Sequence, residues 1–88
     1  MLRLRIEHAY SRIRSQRRAF KNIERHVLSR YQATLLPSGE HRLHLSYRTQ
    51  QDLDELMDDL LFEIAGEAQM SGCYSETEAR MEGTDRQW

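Results

Sequence analysis

HRLHLSYRTQQDLDELMDDLLFEIAGEAQM, residues 41–70, runs from a strand through a helix start into an amphipathic helix without a break. Leu43, Leu45 and Tyr47 alternate with Arg42, His44, Ser46 and Arg48, the period of a strand with one apolar and one polar face. Thr49 stands at an N-cap position and Asp52 three residues on, a capping-box spacing with Asp in place of Glu. Asp52, Asp54 and Glu55 load the first turn with negative charge, which suits the positive end of the helix dipole. Leu53, Leu56, Met57, Leu60, Leu61 and Ile64 then recur at three and four and make one broad apolar face. Glu55, Asp59 and Glu63 line one flank of it, and Asp54 and Asp58 the other.

Phe62 breaks this pattern. It falls between the acidic flanks, away from the apolar face, with Ala65, Gly66 and Gln69 beside it. Small residues next to an aromatic allow close approach of a second element, and aromatics are enriched at interfaces. Phe62, with Glu55, Asp59 and Glu63, is therefore the expected protein-binding site.

Upstream, Pro37-Ser38-Gly39 reads as a turn, because Pro presets φ at its second position and Gly accepts a left-handed backbone. It joins a short strand at 32–36 to the strand at 41–48 in an antiparallel hairpin. Before it, Ile6, Tyr10, Ile13, Phe20, Ile23, Val27, Leu28 and Tyr31 form a helical series with no Gly or Pro. This predicts one long basic helix over about 4–29. Leu2, Leu4 and Ile6 also alternate with Arg3 and Arg5, so strand character is open for the first residues. Arg17 projects within the apolar face and is expected to reach its rim or a carboxylate such as Glu24. After Met70 the composition turns small and polar. Residues 71–88 are expected to be a flexible or partly helical tail, with a short helix around 76–82 and Trp88 unstructured.

The reading is thus one α+β domain over 1–70 in the order α-β-β-α. A two-stranded hairpin is marginal alone, and its open edge invites another chain. This points to a homodimer that joins two hairpins, or pairs helices.

Net charge is −1, but the layout is polar: residues 1–30 hold nine Lys/Arg against two acids, and residues 51–88 two against eleven. The basic and acidic helices are expected to lie together and offset one another. Arg14, Arg18, Lys21 and Arg25 share a helix face that suits phosphates, which makes nucleic acid the alternative partner. The acidic helix, with Asp54, Glu55, Asp58, Asp59, Glu63 and Glu67, offers the converse possibility of imitating a row of phosphates.

Other chemistries find little support. Cys73 is the single cysteine, so there is no internal disulfide and no all-cysteine metal site. His41 and His44, three apart on a strand, point to opposite faces, and no HxH or HExxH occurs, so no metal is expected. No nucleophile elbow or glycine-rich phosphate loop is present. The expectation is a non-catalytic protein without cofactor that acts through protein–protein contacts. The free thiol, the lack of an apolar run of about 20 residues and the lack of a secretory leader place it in the cytoplasm and away from membranes.

Overall fold

Leu2, Leu4 and Ile6 satisfy both a helical and an alternating pattern, and the chain resolves the conflict as a strand. In the computed structural model, which describes residues 1–9 and 12–81, strand β1 spans Leu2–Ala9. Helix α1 follows over Ile13–His26, then a 3₁₀ turn over Leu28–Tyr31. Strands β2 (Thr34–Leu35) and β3 (His41–Leu43) flank the predicted turn, helix α2 covers Gln50–Met70, and strand β4 covers Tyr74–Met81. The sheet order is β2-β3-β1-β4, antiparallel throughout. A β-α-β-β-α-β chain with this order is the split β-α-β, or ferredoxin-like, arrangement.

The α+β class and the antiparallel hairpin stand, and the α-β-β-α order is corrected at both ends. The helix expected over 4–29 begins only at Ile13, because residues 2–9 pair in register with β4 and residues 2–4 also with β3. Tyr10, counted in the helical series, lies outside the described residues. Ile13, another member, is exposed. Residues 74–81, expected as flexible or helical tail, form the edge strand instead. The calls on Trp88 and on Glu82 as the end of a short helix fall outside the described residues. A second correction follows. The sheet has four strands within one chain, so a hairpin needing completion no longer argues for a dimer.

The hairpin is shorter than its alternation suggests. Gly39 takes φ 90° and donates to the Leu36 carbonyl, while the Leu36 amide donates to Glu40. Leu43 pairs with Leu2, where β1 begins, so residues 44–48 have no strand to pair with on that side. At the helix start the expected cap is present: the Asp52 amide donates to Thr49 Oγ1 at 3.1 Å. At the other end Gly72, φ 83°, is the left-handed residue of a Schellman motif. Its amide donates to Gln69 and the Cys73 amide to Ala68, and the chain turns back as β4.

Both helices cover one face of the sheet. Leu2, Leu4, His41 and Leu43 point into it and pack with Ala19, Ile23, Val27, Leu28, Leu60, Ile64 and Ala68. Each large aliphatic chain so buried stabilises by about 1.5–3 kcal/mol before the entropy of ordering is counted. His41, 2% exposed, lies 5.4 Å from the Phe20 ring, with Nε2 3.4 Å from Glu24. Glu24 is thereby directed to His41, and Arg17 is exposed, the rim position expected for it. His8, read as helical, sits on β1 opposite Ser75 of β4. Its two ring nitrogens and Ser75 Oγ are buried without a hydrogen-bond partner among the described residues.

Candidate protein-contact face

The two helices run antiparallel, and the polar contacts between them show it directly. Asn22 Nδ2 donates to Ser71 Oγ at 3.2 Å, and His26 Nδ1 lies 3.2 Å from Glu67 Oε1. Arg30 donates to Glu63. Each step of four residues forward on the first segment is a step of four back on α2. This seam binds Glu63 and Glu67, and the Glu63 carboxylate raises the Arg30 pKa above its ordinary value.

Beside the seam lies the discordant line of α2. Phe62 is 80% exposed and Met70 85% exposed, each one turn from Gly66. A Cβ at Gly66 would meet nothing within 4 Å, so a shallow open groove runs past it. Val27 floors the groove, and His26, Arg30, Glu63 and Glu67 form its rim. Glu55 and Asp59 continue the exposed side toward the helix start. The C-terminal half of α2 therefore presents an apolar and small surface whose nearest acids are already paired, and the N-terminal half presents carboxylates that meet no cation among the described residues. Of the expected contact residues, the fold brings Phe62 and Glu63 to one groove and sets Glu55 and Asp59 at its acidic end.

Met70, Val27 and Arg30 are additions. Met70 falls on the line of Phe62 at i+8, a spacing visible in the sequence. Val27 and Arg30 need the antiparallel register of the helices, which no local pattern carries.

Arg14, Arg18, Lys21 and Arg25 are all exposed on α1. The acidic helix does not neutralise them: among the described residues the basic side chains that meet α2 carboxylates are those of His26 and Arg30, at the far end of the segment. The expected mutual offset of the two helices is thus confined to the seam. His41 is buried and His44 exposed, and among the described residues no three His, Cys, Asp or Glu side chains gather as metal ligands. Also among the described residues, no helix is long and apolar enough to cross a membrane.

The chain matches no protein-family model, no curated protein and no solved structure. The fold alone carries no function, so the reading rests on the faces just described.

Proposed function

We propose that the protein is a non-catalytic, cytoplasmic binding module that acts through protein–protein contacts, as a homodimer, and presents the Phe62–Gly66–Met70 line of α2 to another protein. The occupant is an amphipathic helix with apolar anchors and a basic end. Its anchors lie against Phe62 and Met70, with Gly66 permitting close approach, and its cations meet Glu55 and Asp59. One observation carries this reading: two large apolar side chains stand almost fully exposed beside acids that their own chain has paired. Covering the groove removes apolar surface from water and strands no new charge.

The test is retention of the binding partner by tagged native chain and by Phe62→Ala, with Tyr47→Ala as a control at a partly exposed aromatic elsewhere. Aromatic anchors at the centre of an interface are worth about 2 kcal/mol or more. Phe62→Ala should lower retention by at least about tenfold and Tyr47→Ala should leave it unchanged. Equal retention by all three chains removes the reading.

A second reading has its own observation. Arg14, Arg18, Lys21 and Arg25 share an exposed face and make no ion pair among the described residues. Four such cations suit a phosphate backbone. A low-salt gel shift decides it: retardation that disappears in Arg18→Ala/Lys21→Ala supports nucleic acid as the partner, and no retardation at micromolar protein rejects it.

A further inference from the structure

The exposed line of α2 is symmetric about Gly66. Phe62 stands four residues before it and Met70 four after, 80% and 85% exposed. The charge on either side of that centre is not symmetric. The seam sets Asn22 beside Ser71 and His26 beside Glu67. By that register Arg25 and Lys21 of α1 lie level with residues 68 and 72, past the Met70 end of the line. Arg18, Lys21 and Arg25 are exposed there, and Glu55, Asp58 and Asp59 are exposed past the Phe62 end. Within one chain Lys21 and Asp59 are about 20 Å apart along the helix direction, so neither can serve the other.

We propose that the occupant of the α2 groove is a second copy of this chain, its α2 crossing the first at Gly66 about a twofold axis. The proposal rests on the preceding reading of the groove as a contact face and names the partner. The second copy supplies both parts of the occupant, with apolar anchors from α2 and the basic part from α1. Phe62, Gly66 and Met70 form one i±4 row, and packed i±4 rows cross at about −50°. Gly66 stands on the axis against Gly66 of the second copy, where no side chain holds the helices apart. Phe62 of the second copy enters the groove over Val27 and beside Met70, and the reciprocal contact forms at the other end.

The same crossing brings the charges together. A β-α-β crossover is right-handed, which fixes the side of α2 on which α1 lies. On that arrangement the negative crossing angle carries the N-terminal half of the second copy's α2 over α1. Asp59 is seven residues from Gly66, about 10 Å at helical rise. An inclination of about 50° moves it about 8 Å sideways, one helix spacing, and about 7 Å along α2. Arg25 and Lys21 lie about 3 Å and about 9 Å past Gly66 in that direction, so Asp59 of the second copy comes down between them. Glu55 of the second copy, one turn further, reaches toward Lys21 and Arg18. Where the axis crosses the seam, Arg30 comes near Arg30 of the second copy, but each arrives with its own Glu63 and the four groups are neutral together. Such an isologous contact meets carboxylates with cations that their own chain holds out of reach. A foreign helix in the groove leaves Arg18, Lys21 and Arg25 uncovered, and a nucleic acid on those cations leaves Phe62 and Met70 in water.

The experiment is sedimentation of the full chain over a concentration series. The native chain should form a dimer. Phe62→Ala should raise the dimer Kd at least about thirtyfold. D59K and K21E should each raise it at least about tenfold, because each sets like charges together at both ends. An equimolar mixture of D59K and K21E should recover the dimer, since both ends of that heterodimer are again complementary. All three positions are exposed, and circular dichroism melting checks that the variants fold. A native monomer at about 200 μM overturns the proposal. If that monomer still retains another protein and Phe62→Ala loses it, the reading of the groove stands without the proposal; if it does not, both fall. A dimer indifferent to Phe62→Ala overturns the proposal, as does a dimer lost in Phe62→Ala but indifferent to D59K and K21E. A monomer that retards nucleic acid and loses this in K21E also overturns it.

Discussion

Arg30, in the 3₁₀ turn after α1, donates to Glu63 in the middle of α2. Phe62 is the preceding residue on that helix, and it is left exposed beside a carboxylate that is already paired. The pair is solvent-accessible, and such pairs contribute up to about 1 kcal/mol to stability. Its larger role in this account is at the groove. Arg30→Ala should change the urea midpoint little and weaken partner retention, because Glu63 then has to be covered without its cation. Wild-type retention by Arg30→Ala separates the seam from the contact.

Gly66 sets stability against binding. It sits inside a helix with open space where a Cβ would be, so Gly66→Ala should raise stability by about 0.5–1 kcal/mol. The same methyl narrows the approach between Phe62 and Met70, so retention should fall as the melting temperature rises. A more stable variant with undiminished retention shows that close approach at Gly66 is not used.

Gly72 behaves oppositely. At φ 83° an Ala is strained, although its Cβ would meet Ser15 Oγ only at 3.8 Å, an ordinary contact. Gly72→Ala should cost about 1–2 kcal/mol through the backbone alone. The loss should appear first as faster amide exchange in β4, whose direction this turn sets. An unchanged exchange pattern removes the turn from that role.

These two glycines also mark what was legible in the sequence. The span of α2 was plain from Thr49 to Met70, because cap, charge and apolar period agree there, and the turn at residues 37–39 was plain from its own chemistry. β1 was ambiguous because Leu2, Leu4 and Ile6 suit both periods, and only pairing with β3 and β4 decides between them. β4 is not legible as a strand, and its residues read instead as part of a flexible or partly helical tail. Its inward positions are Ser75, Thr77, Ala79 and Met81, too small and polar to show an apolar alternation, although Gly72 after a long helix was a usable sign of a cap and reversal. Phe62 was visible as a discordant residue. Its groove was not, since Val27 and Arg30 arrive through the antiparallel seam.

Glu40 should matter for stability more than a surface acid does. It lies nearly buried among arginines, one of them, Arg80, largely exposed. Glu40→Gln keeps the shape and removes the charge that meets Arg3 and Arg80. The urea midpoint should fall by an amount equivalent to about 1–2 kcal/mol, with m unchanged. The loss should shrink at high salt. A midpoint equal to wild type at low and at high salt excludes Glu40 as the counter-ion of Arg3 and Arg80.

His8 supplies a pH dependence. Burial lowers its pKa below the ordinary 6.5, because the charged ring loses water. The folded chain therefore binds this proton less readily than the unfolded chain. The stability associated with the neutral ring is complete above 6.5 and is lost as pH falls from there through the folded pKa. The difference in unfolding free energy between native chain and His8→Gln should shift against the native chain on acidification over about pH 7.5 to about 5. A constant difference across that range shows that His8 does not titrate with folding.

The most direct test of the central claim is site-specific photo-cross-linking. A photoreactive aromatic amino acid is placed at position 62, and a control probe at position 48, which is exposed, precedes the N-cap of α2 and lies at the opposite end of that helix from Gly66 and Met70. The account predicts a covalent adduct with a second protein from position 62, retained in high salt and diminished in Met70→Ala, and none from position 48. No adduct from position 62, or equal adducts from both positions, contradicts it.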